Sequence, residues 1–317
     1  MLLAAAMATS VPAVAASATF ATASVAATTV PANDLLDAID AWVGDDYDSS
    51  SSTAFGDDIA QWRTSDIVSL QGAFFEAEAF DERIGAWDVA KVVSLKVTFK
   101  GAAAFNQPLA GWDTSRVTTL HGCFDSAKDF NQPVGAWSVD NATSLYGIFD
   151  GAASFNQHLE GWNTKRVTTL QNAFRSAAAF NSDISHWDVS SVTSLGQTFH
   201  SAKSYNQPLG NWDTAHVSTL SQTFFHAEAL DCDLRWDVSR VSSLSQTFLG
   251  ATAFNGDIAG WDVASSVTEL DYSECFGMVL VRHFFVVHLQ PNLNSQTPPL
   301  TTTNTHYRTV SKRAHAH

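Results

Sequence analysis

Apolar residues return along this chain with a period of 25. Trp62, Trp87, Trp112, Trp137, Trp162, Trp187 and Trp212 stand 25 residues apart, Trp236 follows after 24 and Trp261 after another 25. With tryptophan as position 0, position 5 is Ile67, Val92, Val117, Ala142, Val167, Val192, Val217 and Val241. Position 8 is Leu from Leu70 to Leu244, position 12 is Phe from Phe74 to Phe248, and position 15 is Ala from Ala77 to Ala251. Position 18 is Phe in six copies, with Tyr205 and Leu230 as variants, and position 22 is Leu, Ile or Val.

A 25-residue unit cannot bury seven apolar positions alone, but a stack of units can, each covering its neighbour's open face. The pattern therefore predicts a repeat solenoid over residues 55–274. The Thr-rich, β-branched V-T-x-L segment predicts one short parallel strand per rung. At a strand spacing of about 4.8 Å, eight rungs give a body on the order of 40 Å long. The spacing 8, 12, 15 is helical but brief, so a single helical or 3-10 turn is expected after position 8. Gly or Pro near positions 21 to 24 then turns the chain back toward the next Trp.

Two polar columns fit this scheme. Position 19 is Asn106, Asn131, Asn156, Asn181, Asn206 and Asn255, varied to Asp81 and Asp231, side chains able to satisfy backbone groups at a buried turn. Position 1 is mostly Asp (Asp88, Asp113, Asp188, Asp213, Asp237), the chemistry of an Asx turn. A calcium ladder is the sharper reading of that column. Arg63, Ser138 and Asn163 interrupt it, and one carboxylate per rung supplies too few ligands.

The ends need different elements. Residues 33–54 read as an N-terminal capping helix and linker: Leu35, Leu36, Ile39, Trp42 and Val43 share one helical face, and Gly44 stops it. After Trp261 the ninth unit gains a residue, and the pattern dissolves in an apolar segment, Phe276 to Leu289, that is too short for a membrane span. Residues 275–317 are thus a divergent apolar segment with a low-complexity tail, of the composition expected for disorder. Residues 1–32 carry no charged side chain and end a short apolar run in small residues, as a signal peptide or an Ala-rich leader does.

The net charge of −15 argues against nucleic acid or an anionic membrane as a partner. All 32 acidic residues precede position 275, as do 13 of the 17 basic ones, so that part alone carries −19. Three cysteines, Cys123, Cys232 and Cys275, build no disulfide framework, and no CxxC pair suggests zinc.

The wording F-N-x-x-[LI]-x-x-W-[DN]-x-S-x-V-[TS]-x-L-x-x-x-F-x-x-A, as in "FNQPLAGWDTSRVTTL", resembles the BspA family of leucine-rich-repeat surface proteins over about Phe55 to Leu270. Such repeats also abound in mycoplasmas and unicellular marine algae. The resemblance implies a leucine-rich-repeat-like solenoid, secreted or at the cell surface, that serves adhesion or recognition of a protein or glycan. It supplies no catalytic residue and no cofactor.

Candidate chemistry is sparse. The histidines fall in different columns; His200 and His226, on adjacent rungs, are too few to hold a metal. Cys123 and Cys232 lie four rungs apart, about 20 Å by strand spacing, beyond disulfide reach. No GxSxG, HExxH or P-loop occurs. Position 4 (Asp66, Lys91, Arg116, Asn141, Arg166) is a partly basic stripe, read as local pairing of Asp113 with Arg116 and of Asp237 with Arg240. Position 9 varies most, and Gln71, Lys96, His121, Tyr146 and Gln171 form the candidate ligand face. Asn141-Ala142-Thr143 is a glycosylation sequon. The expectation is a non-enzymatic protein that binds a protein or glycan along an extended face, without catalytic, metal or cofactor residues. The alternatives are a structural spacer, ice binding by Thr118, Thr143, Thr168 and Thr193, and a polysaccharide-acting enzyme. The enzyme would need clustered carboxylates or an Arg or Lys in one groove, and the regular columns show no such cluster.

Overall fold

The computed structural model describes residues 37–39 and 58–262. Residues 37–39 are helical, with Ala38 and Ile39 buried. The rest of the expected capping helix, the leader, the shifted ninth unit and the segment 275–317 lie outside the described residues.

From Trp62 onward each copy lies against the next through backbone hydrogen bonds. Parallel contact occurs at position 7, as isolated bridges from Ser69 to Ser94, Ser94 to Thr119, Thr169 to Ser194, Ser194 to Thr219 and Thr219 to Ser243. The amide of position 6 donates to position 6 of the copy before it, for example Thr193 N to Thr168 O at 2.9 Å. The amides of positions 8, 10, 12 and 14 donate to the copy after it, as Leu70 N does to Ser94 O and Phe74 N to Thr98 O. The V-T-x-L segment thus pairs with its neighbours one residue at a time, and the same pairing continues past its end.

After position 8 the backbone is a tandem of i→i+3 turns rather than a continuous helix. Ala73 N reaches Leu70 O, Phe75 N reaches Gly72 O, and Ala77 N reaches Phe74 O. The alternate amides serve the next copy, so no helical ladder can propagate. This alternation requires left-handed residues at positions 10 and 14, the third place of the turns that start at positions 8 and 12. Gly72, Gly122 and Gly147 meet the need at position 10, and Gly101, Gly151 and Gly250 at position 14. Elsewhere Glu76, Val97, Ser126, Asn172, Ser176, Gln197, Ser201, Gln222, His226 and Gln246 take positive φ themselves.

The core is a set of aromatic columns. Position 12 rings stack from copy to copy at 5.3–5.8 Å. Position 18 rings stack at 5.6–6.1 Å from Phe80 to Tyr205. Within one copy the two rings lie 3.8–4.4 Å apart. Such offset contacts add to the area-driven gain, which is about 1.5–3 kcal/mol for each large side chain removed from water. Most tryptophans also spend their indole N–H, whereas that of Trp187 is buried without a partner. Trp87, Trp112, Trp137, Trp162, Trp212, Trp236 and Trp261 donate to a position 22 carbonyl two copies before, at 2.7–3.2 Å.

Polar columns secure the edges. Asn131 N donates to Asn106 Oδ1, Asn156 N to Asn131 Oδ1 and Asn181 N to Asn156 Oδ1, and the ladder runs from Asp81 to Asn255. Asp88, Asp113, Asp188, Asp213 and Asp237 each accept from the amide two residues on. At position 2, Thr64, Thr114, Thr164 and Thr214 donate to the position 1 carbonyl of the next copy, and Val89, Val139, Val189 and Val238 alternate with them. The missing residue before Trp236 removes only the turn: Trp212 N bonds to Leu209 O, whereas one residue alone separates Leu234 from Trp236. Trp236 still stacks on Trp212 and Trp261, at 6.1 and 6.2 Å.

Candidate functional site

The turn from position 10 to position 13 brings two columns side by side. Lys100 N reaches Val97 O, Asp125 N reaches Gly122 O, Asp150 N reaches Gly147 O and Arg175 N reaches Asn172 O. Position 13 therefore lies beside positions 9 and 10 in every copy. Along the chain it reads Phe75, Lys100, Asp125, Asp150, Arg175, His200, Phe225 and Leu249, so its charges are confined to four consecutive copies.

Those four copies hold a pocket of about 320 Å³. Lys100, Asp125, Asp150 and Arg175 form one wall, and His121 and Tyr146 from position 9 form another. Gly122 lies between them, with Val97 and Asn172 from position 10 at the two ends. Lys100 Nζ meets Asp125 Oδ2 at 2.7 Å, and Arg175 Nη1 meets both oxygens of Asp150, at 3.2 and 3.4 Å. Ser126 Oγ donates to Asp125 Oδ1 at 2.8 Å. The His121 and Tyr146 rings stack at 4.6 Å, and Asn172 Nδ2 donates to the Tyr146 hydroxyl at 3.2 Å. Asn172 Oδ1 and Arg175 Nε, in the same wall, are buried without a partner.

Burial sets the protonation of this cluster. Asp150 is 8% exposed, and its burial, reinforced by the Asp125 charge, pushes its carboxyl up to about 6 against the pull of Arg175. The Lys100 ammonium is raised, chiefly by its hydrogen bond to Asp125. His121 is lowered, first by burial and then by the charges of Lys96 and Lys100, so it is held neutral at pH 7.

The sequence-derived ligand face is divided. His121 and Tyr146 line the pocket, half-buried; Gln71 and Lys96 are exposed outside it; Gln171 is half-buried and accepts from Ser194 Oγ at 3.5 Å. The position 13 row was missed, because Lys, Asp, Asp and Arg in one column look like drift. One expectation is overturned: carboxylates do cluster in one groove, with Asp125 and Asp150 on adjacent copies and a cation at each end. The run of Lys, Asp, Asp and Arg in copies 2 to 5, in a column that is Phe75, Phe225 and Leu249 toward its ends, was the available signal.

The remaining candidates resolve into local structure. No ion pair joins Asp113 to Arg116 or Asp237 to Arg240; instead Lys91 pairs with Asp66 at 2.7 Å and Arg166 donates to Asn141 Oδ1, both along position 4. Asn141 is exposed, and its Nδ2, the atom a glycan would take, donates to Ser115 O at 2.9 Å. Thr118, Thr168 and Thr193 turn their hydroxyls onto the carbonyl of the preceding copy. His200 stacks on Phe225, whose edge meets His226. Cys123 and Cys232 are free, and among the described residues no three His, Cys, Asp or Glu side chains converge as metal ligands. Among them, too, no helix is long and apolar enough to cross a membrane.

No curated protein matches the chain. A family model described as "Mycoplasma protein of unknown function, DUF285" matches three overlapping stretches, residues 47–160, 143–261 and 207–276. These matches meet the same repeating copies that carry the aromatic columns and the pocket, and together they span most of the chain, so the protein belongs to the DUF285 family.

Proposed function

We propose that this protein is a non-catalytic recognition protein, secreted or displayed at the cell surface, that binds a protein or glycan ligand along the face formed by positions 9, 10 and 13. Its stacked copies constitute a leucine-rich-repeat-like solenoid akin to the BspA surface proteins, built from parallel contact at position 7 and the turns that follow it. One observation carries the reading. The core columns hardly vary from copy to copy, whereas this face changes its chemistry at every copy and opens into a polar pocket of about 320 Å³. A solenoid scaffold that holds variable side chains on a rigid face is suited to recognition.

The test uses the purified full chain against printed glycans and immobilised extracellular proteins. A variant with Lys96, His121, Tyr146 and Gln171 all changed to Ser is run beside it. Binding by the natural chain and its loss in the variant, at equal melting temperature, is the expected result. Equal binding by both moves the function to another face, and no binding by either favours a structural spacer. A second reading, polysaccharide cleavage, is favoured by the Asp125 and Asp150 pair, since two carboxyls in one pocket, one of them raised to about 6 by burial, are the pattern of a general acid and its partner. Release of reducing ends from a polysaccharide panel, lost in Asp150→Asn, would establish it.

A further inference from the structure

We infer that the pocket across Lys100, Asp125, Asp150 and Arg175 is a subsite for an uncharged saccharide, a single sugar unit or a short neutral glycan end. This rests on the recognition reading above and narrows its ligand.

The charge arrangement makes the selection. Two cations and two carboxylates cancel, and His121 is held neutral beside them. An anionic ligand drawn to Lys100 or Arg175 meets Asp125 or Asp150 at once, because each cation already lies 2.7–3.2 Å from a carboxylate oxygen. A cationic ligand meets the reverse. Displacing either ion pair would leave a partly buried charge uncompensated, which is strongly unfavourable. A hydroxyl group both donates and accepts, so neighbouring hydroxyls can bond to a carboxylate and an ammonium or guanidinium without breaking the pair. Hydrogen bonds to charged partners are stronger than those between neutral groups.

The remaining lining agrees. Once it accepts from Asn172, the Tyr146 hydroxyl still has its proton to give. The volume stands at the small end of the roughly 300–1,000 Å³ range of ligand pockets. The opening depends on glycine at position 10. Asn172, Gln197, Gln222 and Gln246 hold the same left-handed backbone, so Gly122 is not demanded by conformation. Its effect is the side chain that is missing from the pocket lining. A Cβ at Gly122 would lie 3.2 Å from Val97 Cγ1 and 3.7 Å from Asp125 Cβ, at the pocket floor.

The experiment prints neutral, uronic or sulfated, and amino oligosaccharides on one array and probes it with the full chain. The best neutral glycan is then titrated against the natural protein, Gly122→Asn, Tyr146→Phe and, as a control away from positions 9, 10 and 13, a Glu82→Gln change at an exposed residue. Gly122→Asn fills the floor with the residue that position 10 carries at Asn172. The expected result is binding confined to neutral glycans. Affinity falls at least tenfold in Gly122→Asn and severalfold in Tyr146→Phe, and is unchanged in Glu82→Gln. Tyr146→Phe leaves the backbone alone and decides the matter should Gly122→Asn lower the melting temperature. Binding confined to acidic or amino glycans overturns the inference, as does neutral binding that neither pocket variant weakens. A chain that binds immobilised proteins but no glycan overturns it while leaving the recognition reading standing; a chain that binds neither removes both.

Discussion

At the scale of single residues the repeat exposes its own exceptions. Tyr205 sits in the position 18 column, fully buried, with a hydroxyl that has no partner and a phenol pushed well up by burial. Phe occupies the equivalent place in six of the eight copies. An unpaired buried hydroxyl costs about 1–3 kcal/mol, so Tyr205→Phe should raise stability by about 1 kcal/mol, seen as a higher urea midpoint at unchanged slope. Val97 is the second exception: a β-branched side chain at φ 49, where other copies use Gly, Asn or Gln. Left-handed backbone costs an ordinary residue about 1–2 kcal/mol and a β-branched one more. Val97→Asn should stabilise by about 1 kcal/mol, measured the same way. Asp150 gives a pH signature. Its native carboxyl titrates at about 6 against 3.8 for the free group, so between those values the native state binds the extra proton. Stability from this group therefore falls as pH rises from about 4 to 6. The lowered carboxyls of Asp113, Asp188 and Asp237, held by Ser115, Ser190 and Ser239, act oppositely, and their contribution is lost as pH falls below the free value. The natural chain should gain on Asp150→Asn as pH drops from 6 to 4, and a flat difference in melting temperature across that window would refute the assignment.

At the scale of the element, one copy is a ring of turns held by its neighbours. The Asn ladder shows how much of this could be read in advance. A column of Asn at position 19 is legible as backbone satisfaction, because Asn is the residue that can accept from an amide at a turn, and each Oδ1 does accept from the next copy. Asn131 Oδ1 also accepts from Gln157 Nε2, at 2.9 Å, which keeps its bond to Asn131 O, so Asn131→Ala strands the Asn156 amide and should cost about 1 kcal/mol. The same change at Asn255, which accepts from no following described copy, should cost less, and equal losses by urea melts would count against the ladder. The segment after position 8 was less legible. Apolar spacing of 8, 12, 15 fits a helix, and periodicity cannot distinguish that from tandem turns whose alternate amides leave for the next copy. The distinguishing mark was local: Gly recurs at positions 10 and 14, where a helix has no use for it. The alternation of Thr and Val at position 2 was equally visible and equally unread, since its meaning is a bond to a copy 24 residues on. The pocket was the least legible of all, because it is made by what four successive copies put in one column and by glycines that elsewhere are filled.

At the scale of the whole molecule, the contacts are between nearest copies, and this fixes how the chain responds to being shortened. Every ring stack and Asn rung joins residues in the same or adjoining copies, and an indole hydrogen bond such as that of Trp162 reaches 28 residues back. Stability in such a body is close to a sum of copy and interface contributions. Removal of residues 188–212, one full period from Asp188 to Trp212, places Asp213 after Trp187 and rejoins the columns in phase, since Trp187 and Trp212 occupy the same position. This deletion leaves the pocket copies intact. It should yield a folded protein whose urea slope falls in proportion to the surface lost and whose stability drops by one copy and one interface. Removing half a period from the same place would set position 12 rings against polar positions and should prevent cooperative unfolding. The turn before Trp236 marks the tolerance between these limits. There one residue is missing, the Leu-to-Trp turn is gone, and the Trp column continues at 6.1 and 6.2 Å. Length is therefore negotiable in the turn between positions 22 and 0 and fixed between positions 5 and 18. A one-residue deletion of Ala110 or Gly111 should cost little, whereas the same deletion at Ala127, buried between Phe124 and Phe130, should abolish the folded state by circular dichroism.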